Sequence, residues 1–208
     1  MKNFKLSDLI KIALLGVIAF LLMFVAVPIP IFPSFLKLDV SDLPALVGAF
    51  SLGPVAGVLI ELVKNLLQVP RTATAGVGEL ANFLIGASLV FTAGAMYKHK
   101  KTRGNAVLSL ITGTVIMAVV GSLLNYFVLL PLYETALHFP IKAIVAMGHA
   151  INPSINGINS FVALAIFPFN ILKGVIISCI TMAVYKKISP VLHKEIENNT
   201  AQEVYDRK

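Results

Sequence analysis

Lys173 stands in the middle of an apolar stretch, Phe161 to Tyr185, that is otherwise long enough to span a bilayer. A charge at that depth costs about 2.5 to 3.5 kcal/mol on insertion scales, and it is kept mainly where it faces a bundle interior, a partner or a ligand. Asn170, three residues back, shares its helical face. Polar positions recur in other apolar stretches. Glu61, Lys64, Asn65 and Gln68 fall at spacings that place them on one helix face. Two readings of that stripe stand: Glu61 and Lys64 neutralise each other as an ion pair between helices, or the stripe lines a pocket. Glu79 and Asn82 open the next stretch, where Glu79 also suits a first-turn acid complementing the helix dipole. Ser122 and Asn125 lie near the far end of the one after. Lys64, Asn65, Asn82, Asn125, Asn170 and Lys173 thus come from four helices, which favours one shared pocket. Rich in amides and donors and poor in acids, it suits a neutral or mildly anionic organic molecule with carbonyl and ring-nitrogen acceptors.

Enzyme chemistry is poorly served. There is no HExxH, GxSxG or GxxxxGK[ST] element. His138 and His149 lack a metal-ligand spacing, and the carboxylates Glu61 and Glu79 form no convincing acid/base dyad. The single cysteine, Cys179, excludes a disulfide framework and reads as a small buried helix residue. No catalytic cofactor is implied.

The elements that position these residues are membrane helices. Of 208 residues, 57% are hydrophobic and 13% charged, and the mean hydropathy is +0.87. A soluble domain carries about 25% charged residues, so the apolar excess must face lipid. The net charge of +7 collects at the ends of apolar segments without interleaved aromatics, which fits orientation signals and not nucleic-acid binding. The expected fold is an all-α integral membrane protein, a bundle of six transmembrane helices over residues 1–190. The expected spans are about 9–27, 42–52, 54–69, 77–97, 104–130 and 160–186, and a polar cytoplasmic tail covers 191–208. The first span follows Lys2, Lys5 and Lys11 and is expected to stay attached, for want of a small-residue cleavage site.

Residues 39–70 decide the topology. Asp39-Val40-Ser41-Asp42-Leu43-Pro44 reads as a capped helix start, and Gly53-Pro54 as a break between two short helices. If this piece crosses twice, the basic run Lys98 to Arg103 lies on the same side as the N-terminal lysines, as the positive-inside rule asks. Both termini are then cytoplasmic. The connections Pro28 to Leu38 and Pro131 to Ile158 lie outside, and the apolar run Ile141 to Met147 argues for a folded lid or surface helix.

The run Phe32-Pro33-Ser34-Phe35-Leu36-Lys37-Leu38-Asp39-Val40-Ser41-Asp42-Leu43-Pro44, with Gly53-Pro54 and Glu61-Leu62-Val63-Lys64-Asn65, resembles the substrate-binding S components of energy-coupling factor (ECF) transporters. Pro168-Phe169-Asn170-Ile171-Leu172-Lys173-Gly174 resembles the riboflavin-specific branch of that family. The resemblance extends to about Ser189. It implies a bacterial cell-membrane protein that captures riboflavin from outside with high affinity, in a pocket lined by helices 4, 5 and 6 and roofed by the loop after helix 1. Carried over, Asn170 and Lys173 hydrogen-bond the flavin, Asn125 adds a polar contact, Leu36 to Val40 form the roof, and Phe35 and Leu38 flank the ring. Lys64, Asn65, Asn82 and Asp39 complete the candidate site. The resemblance also implies partners: a transmembrane scaffold subunit and two ATP-binding subunits that hydrolyse ATP. The scaffold is expected to meet small residues on helix 1. Here these are Ala13, Gly16 and Ala19, at spacings of three where the family often has alanines spaced by four.

Two other readings stand beside this one. Pocket polarity alone also fits an S component for another water-soluble vitamin or a flavin analogue. A non-transport membrane scaffold would instead use its polar face to bind a partner helix.

Overall fold

The computed structural model describes residues 4–184. The lysines after Val184 and the expected tail at 191–208 lie outside the described residues. Seven helices are numbered here in chain order: α1 Leu6–Val25, whose last turn narrows, α2 Leu43–Leu52, α3 Pro54–Gln68, α4 Val77–His99, α5 Arg103–Leu137, α6 Ile141–His149 and α7 Ile158–Val184. Of these, α1, α4, α5 and α7 are long and apolar enough to cross a membrane. At 1.5 Å per residue α2 and α3 reach about 15 and 22 Å, less than a hydrocarbon core of about 30 Å.

Gly53 separates α2 from α3 at φ +109°, a backbone that glycine adopts without strain, and Pro54 then opens the next helix. The helices close up through small residues. A Cβ on Gly57 would lie 2.3 Å from Val90 of α4, and one on Gly113 would lie 3.0 Å from the Leu89 carbonyl oxygen. The main core, including Leu46, Phe50, Ile60, Leu89, Tyr97, Leu110 and Met117, fills the space among α1 to α5 and reaches Ile177 of α7. A second cluster, with Leu130, Ile144, Ile155, Phe161 and Ile166, seats α6 on α5 and α7.

Three features differ from the sequence expectation. The loop after α1 holds a two-stranded antiparallel ribbon, β1 Val27–Pro28 paired with β2 Lys37–Leu38, which pins both ends of the intervening roof. α5 does not end at Leu130 but runs to Leu137 through Pro131. The turn Asn125–Leu129 widens to i→i+5 bonding, with Leu130 N–H donating to Asn125 O, and a widened turn relieves the clash a proline ring makes with the turn before it. Finally, Cys179 is exposed on α7, not buried.

Candidate functional site

Two polar constructions occupy the interior. The first is a closed cluster of charges. Asp42 caps α2 by position, yet its side chain makes no capping bond. It turns inward, where Lys64 Nζ donates to Oδ1 at 2.5 Å and Lys173 Nζ stands 3.2 Å from Oδ2. Lys64 also donates to Ser41 Oγ at 3.1 Å and lies 2.6 Å from Glu61 Oε2. That contact and the one between Lys173 and Asp42 Oδ2 are ion pairs without hydrogen-bond alignment, and Glu61 Oε1 has no hydrogen-bond partner among the described residues. Asp39 accepts from the Ser41 backbone and hydroxyl through Oδ1, and from Lys173 at 3.2 Å through Oδ2. Asp42, Glu61 and Lys64 have no exposed side-chain surface. Gly86 of α4 leaves the room this needs, since a Cβ there would lie 2.8 Å from Glu61 Oε2.

The second construction is a cavity of about 520 Å³ among α4, α5, α6, α7 and the roof. Its polar lining includes Thr74 before α4, Asn82 of α4, Asn125 and Tyr133 of α5, and Asn170 and Lys173 of α7. Its apolar lining includes Ile85, Met117, Ile144, Met147, Ile166 and Phe169, with Phe35 and Leu36 from the roof. The asparagines meet this space with unused capacity. Asn125 and Asn170 each donate one amide hydrogen to the carbonyl four residues back, at 2.7 and 2.9 Å. The Asn82 carbonyl oxygen is buried with no hydrogen-bond partner among the described residues. Burying an amide oxygen unpaired costs about 1 to 3 kcal/mol, a cost that a ligand donor would remove. At the start of α4, Glu79 accepts from Thr72 at 2.7 Å and Thr74 at 3.3 Å, so it organises the turn into α4 beyond its place in the first helical turn.

The expected site residues therefore divide. Phe35, Leu36, Asn82, Asn125, Asn170 and Lys173 line the cavity. Lys64 and Asp39 belong to the charge cluster, the ion-pair reading of the Glu61 and Lys64 stripe. Asn65 donates to the Glu61 carbonyl at 2.8 Å. Leu38 sits in the ribbon and Val40 accepts from Leu43 N at the entry to α2, so both hold the roof without lining the cavity. Gly16 and Ala19 are buried, and a Cβ on Gly16 would lie 2.6 Å from Val63 of α3. Their smallness serves packing inside the bundle, and of the three small α1 residues only Ala13 is exposed. Lys37, within the expected roof, and Met147, at the end of the expected surface helix, also line the cavity, as do Thr74 and Tyr133, which were not site candidates. His149 is engaged elsewhere, its ring nitrogen 2.9 Å from the Ile155 carbonyl.

The family model described as the substrate-specific component of ECF transporters matches residues 7–185. The riboflavin transporter RibU of Staphylococcus aureus is 41% identical over 186 residues, covering 89% of this chain and 92% of that protein. The riboflavin transporter FmnP of Bacillus subtilis is 32% identical over 194 residues, 92% of this chain and 96% of that one. A solved S component of a bacterial ECF transporter superposes with a TM-score of 0.71 at 41% identity, covering 89% of this chain and 97% of its own.

Proposed function

The chain belongs to the substrate-specific components of ECF transporters, and from that premise we propose that it binds riboflavin in the cavity among α4, α5 and α7. It is a substrate-binding subunit and not an enzyme. The observation that carries the ligand is a space of about 520 Å³ bordered by three amides, one of them with an unpartnered oxygen, and by the Lys173 ammonium. That size falls in the range of about 300 to 1,000 Å³ usual for small-molecule sites. A flavin matches this inventory: a flat ring for Met117, Ile166 and Phe169, an imide N–H for an amide oxygen, and carbonyl and ring-nitrogen acceptors for amide and ammonium donors. Lys173 Nζ has three hydrogens and donates one to Asp39, while it faces Asp42 as an ion pair without hydrogen-bond alignment, which leaves donor capacity for an acceptor in the cavity. The names of the relatives support the same ligand.

In this reading α2 and α3 form the second and third of six crossings. The exposed basic turn after α4 then lies with the N-terminal lysines on the cytoplasmic side of a bacterial cell membrane. The vitamin enters from outside beneath the roof 29–36 and α6. Uptake draws on a transmembrane scaffold and two ATP-binding subunits, since the sequence has no phosphate-binding loop of its own. The visible absorption spectrum of the detergent-purified chain tests the ligand: a flavin band at one equivalent per chain supports it. A colourless protein that refolds and leaves riboflavin fluorescence unchanged contradicts it.

A further inference from the structure

α5 and α7 pack tightly where Gly174 meets Thr114, for a Cβ on Gly174 would lie 2.6 Å from Thr114 Cγ2. From this crossing toward the α4–α5 turn the helices leave an apolar groove of about 560 Å³, walled by Val107, Ile111 and Val115 on one side and Val175, Cys179 and Met182 on the other. The Thr114 and Ser178 hydroxyls within it are 3.3 Å apart and satisfy each other, so the walls make no polar demand on an occupant. At the groove's end is a fixed turn: Asn105 donates to the carbonyls of Met96 and Lys100 at 2.9 and 2.8 Å. That turn exposes Lys98, Lys100, Lys101 and Arg103, and no acidic residue occurs between Glu79 and Glu134 to offset them.

Charge and groove are in register. Arg103, Val107, Ile111 and Val115 follow at intervals of four along one side of α5. At 1.5 Å per residue they span about 18 Å, close to one leaflet of a hydrocarbon core about 30 Å thick with its headgroup level added. A cationic anchor at one end of an apolar trough one leaflet deep has the dimensions and polarity of a phospholipid. We propose that the α5–α7 groove and the basic turn together bind one anionic phospholipid, its phosphate held by Lys100, Lys101 and Arg103 and one acyl chain lying along residues 107–115. A helix of a partner protein would fill the trough but gives no account of the cations at its end.

Native mass spectrometry of the purified chain in neutral detergent, with phosphatidylglycerol or phosphatidylcholine added, tests this. One phosphatidylglycerol should be retained, with phosphatidylcholine retained roughly tenfold less. Lys100→Gln/Lys101→Gln/Arg103→Gln should weaken retention by roughly fivefold per charge. Glycerol phosphate, which offers the anion without chains, should neither bind nor compete. Should the triple variant fail to fold, the parent still decides: phosphatidylglycerol, and not phosphatidylcholine, should slow maleimide alkylation of Cys179 in the groove wall. Equal retention of the two lipids, a triple variant that retains phosphatidylglycerol fully, or Cys179 alkylation indifferent to it would overturn the proposal. Protection of Cys179 that appears only when a coupling subunit is added would give the groove to a protein partner instead.

Discussion

The charge cluster and the cavity lie side by side, share Lys173, and are built on opposite plans. In the cluster every charged group faces an opposite charge, and Lys64 is enclosed by Ser41, Asp42 and Glu61. Around the cavity, Asn125 and Asn170 each donate one amide hydrogen to their own helices, while the Asn82 oxygen has no hydrogen-bond partner among the described residues. Polar groups buried away from water must find partners in the protein or forfeit the free energy of hydration. A region that supplies a counter-charge to each of its charges holds together as structure. A region that stops short around a void is finished only by a ligand. Lys173 spans both, which ties Asp39, just past the roof ribbon, to the binding space.

The largest test of this contrast is Lys64→Ala. It strips Asp42 and Glu61 of their closest counter-charge in a fully buried setting, which should cost about 3 to 5 kcal/mol, read as loss of folded protein or a lowered unfolding temperature in detergent. Next is Lys173→Ala. Losing a charged donor to the ligand should weaken riboflavin binding roughly ten- to a hundredfold. Asp42→Asn should weaken binding through Lys173, so the two changes together should cost less than their sum in a double-mutant cycle. Strict additivity would separate Asp42 from the site. Asn82→Ala should reduce affinity by about tenfold or less while leaving the ligand-free protein as stable or slightly more so, because an unpaired acceptor is removed. Smallest of all is Glu61→Gln. Three carboxylates, Asp39, Asp42 and Glu61, face the two lysines of the cluster. Neutralising one therefore evens the charges, and ligand-free stability should move by no more than about 1 kcal/mol.

Much of this organisation is legible in the residues. A lysine inside an apolar run and an amide one turn away mark the cavity wall on α7, and the spacing of Glu61 and Lys64 already allows their ion pair. Asp42 is harder to place. An aspartate just ahead of a first-turn proline reads as a cap, and nothing local announces a lysine more than a hundred positions away. The same holds for Asp39, which meets Lys173 across a separation of 134 residues. Tyr133 stayed hidden because Pro131 reads as a helix end, whereas the widened turn before it lets α5 carry Tyr133 on to the cavity. Gly16 and Ala19 show a further limit. Small residues on a membrane helix suit an outside partner and an inside neighbour equally, and only their burial, with Gly16 against Val63, decides for the inside.

The central claim, that the unfinished amides and not the closed cluster bind the vitamin, is tested most directly by riboflavin fluorescence titration of the stripped parent protein and of Asn170→Ala. The account predicts stoichiometric quenching at nanomolar protein for the parent, and a clearly weaker isotherm for the variant at unchanged thermal stability. Identical isotherms for the two proteins, or a parent that never quenches, would contradict it.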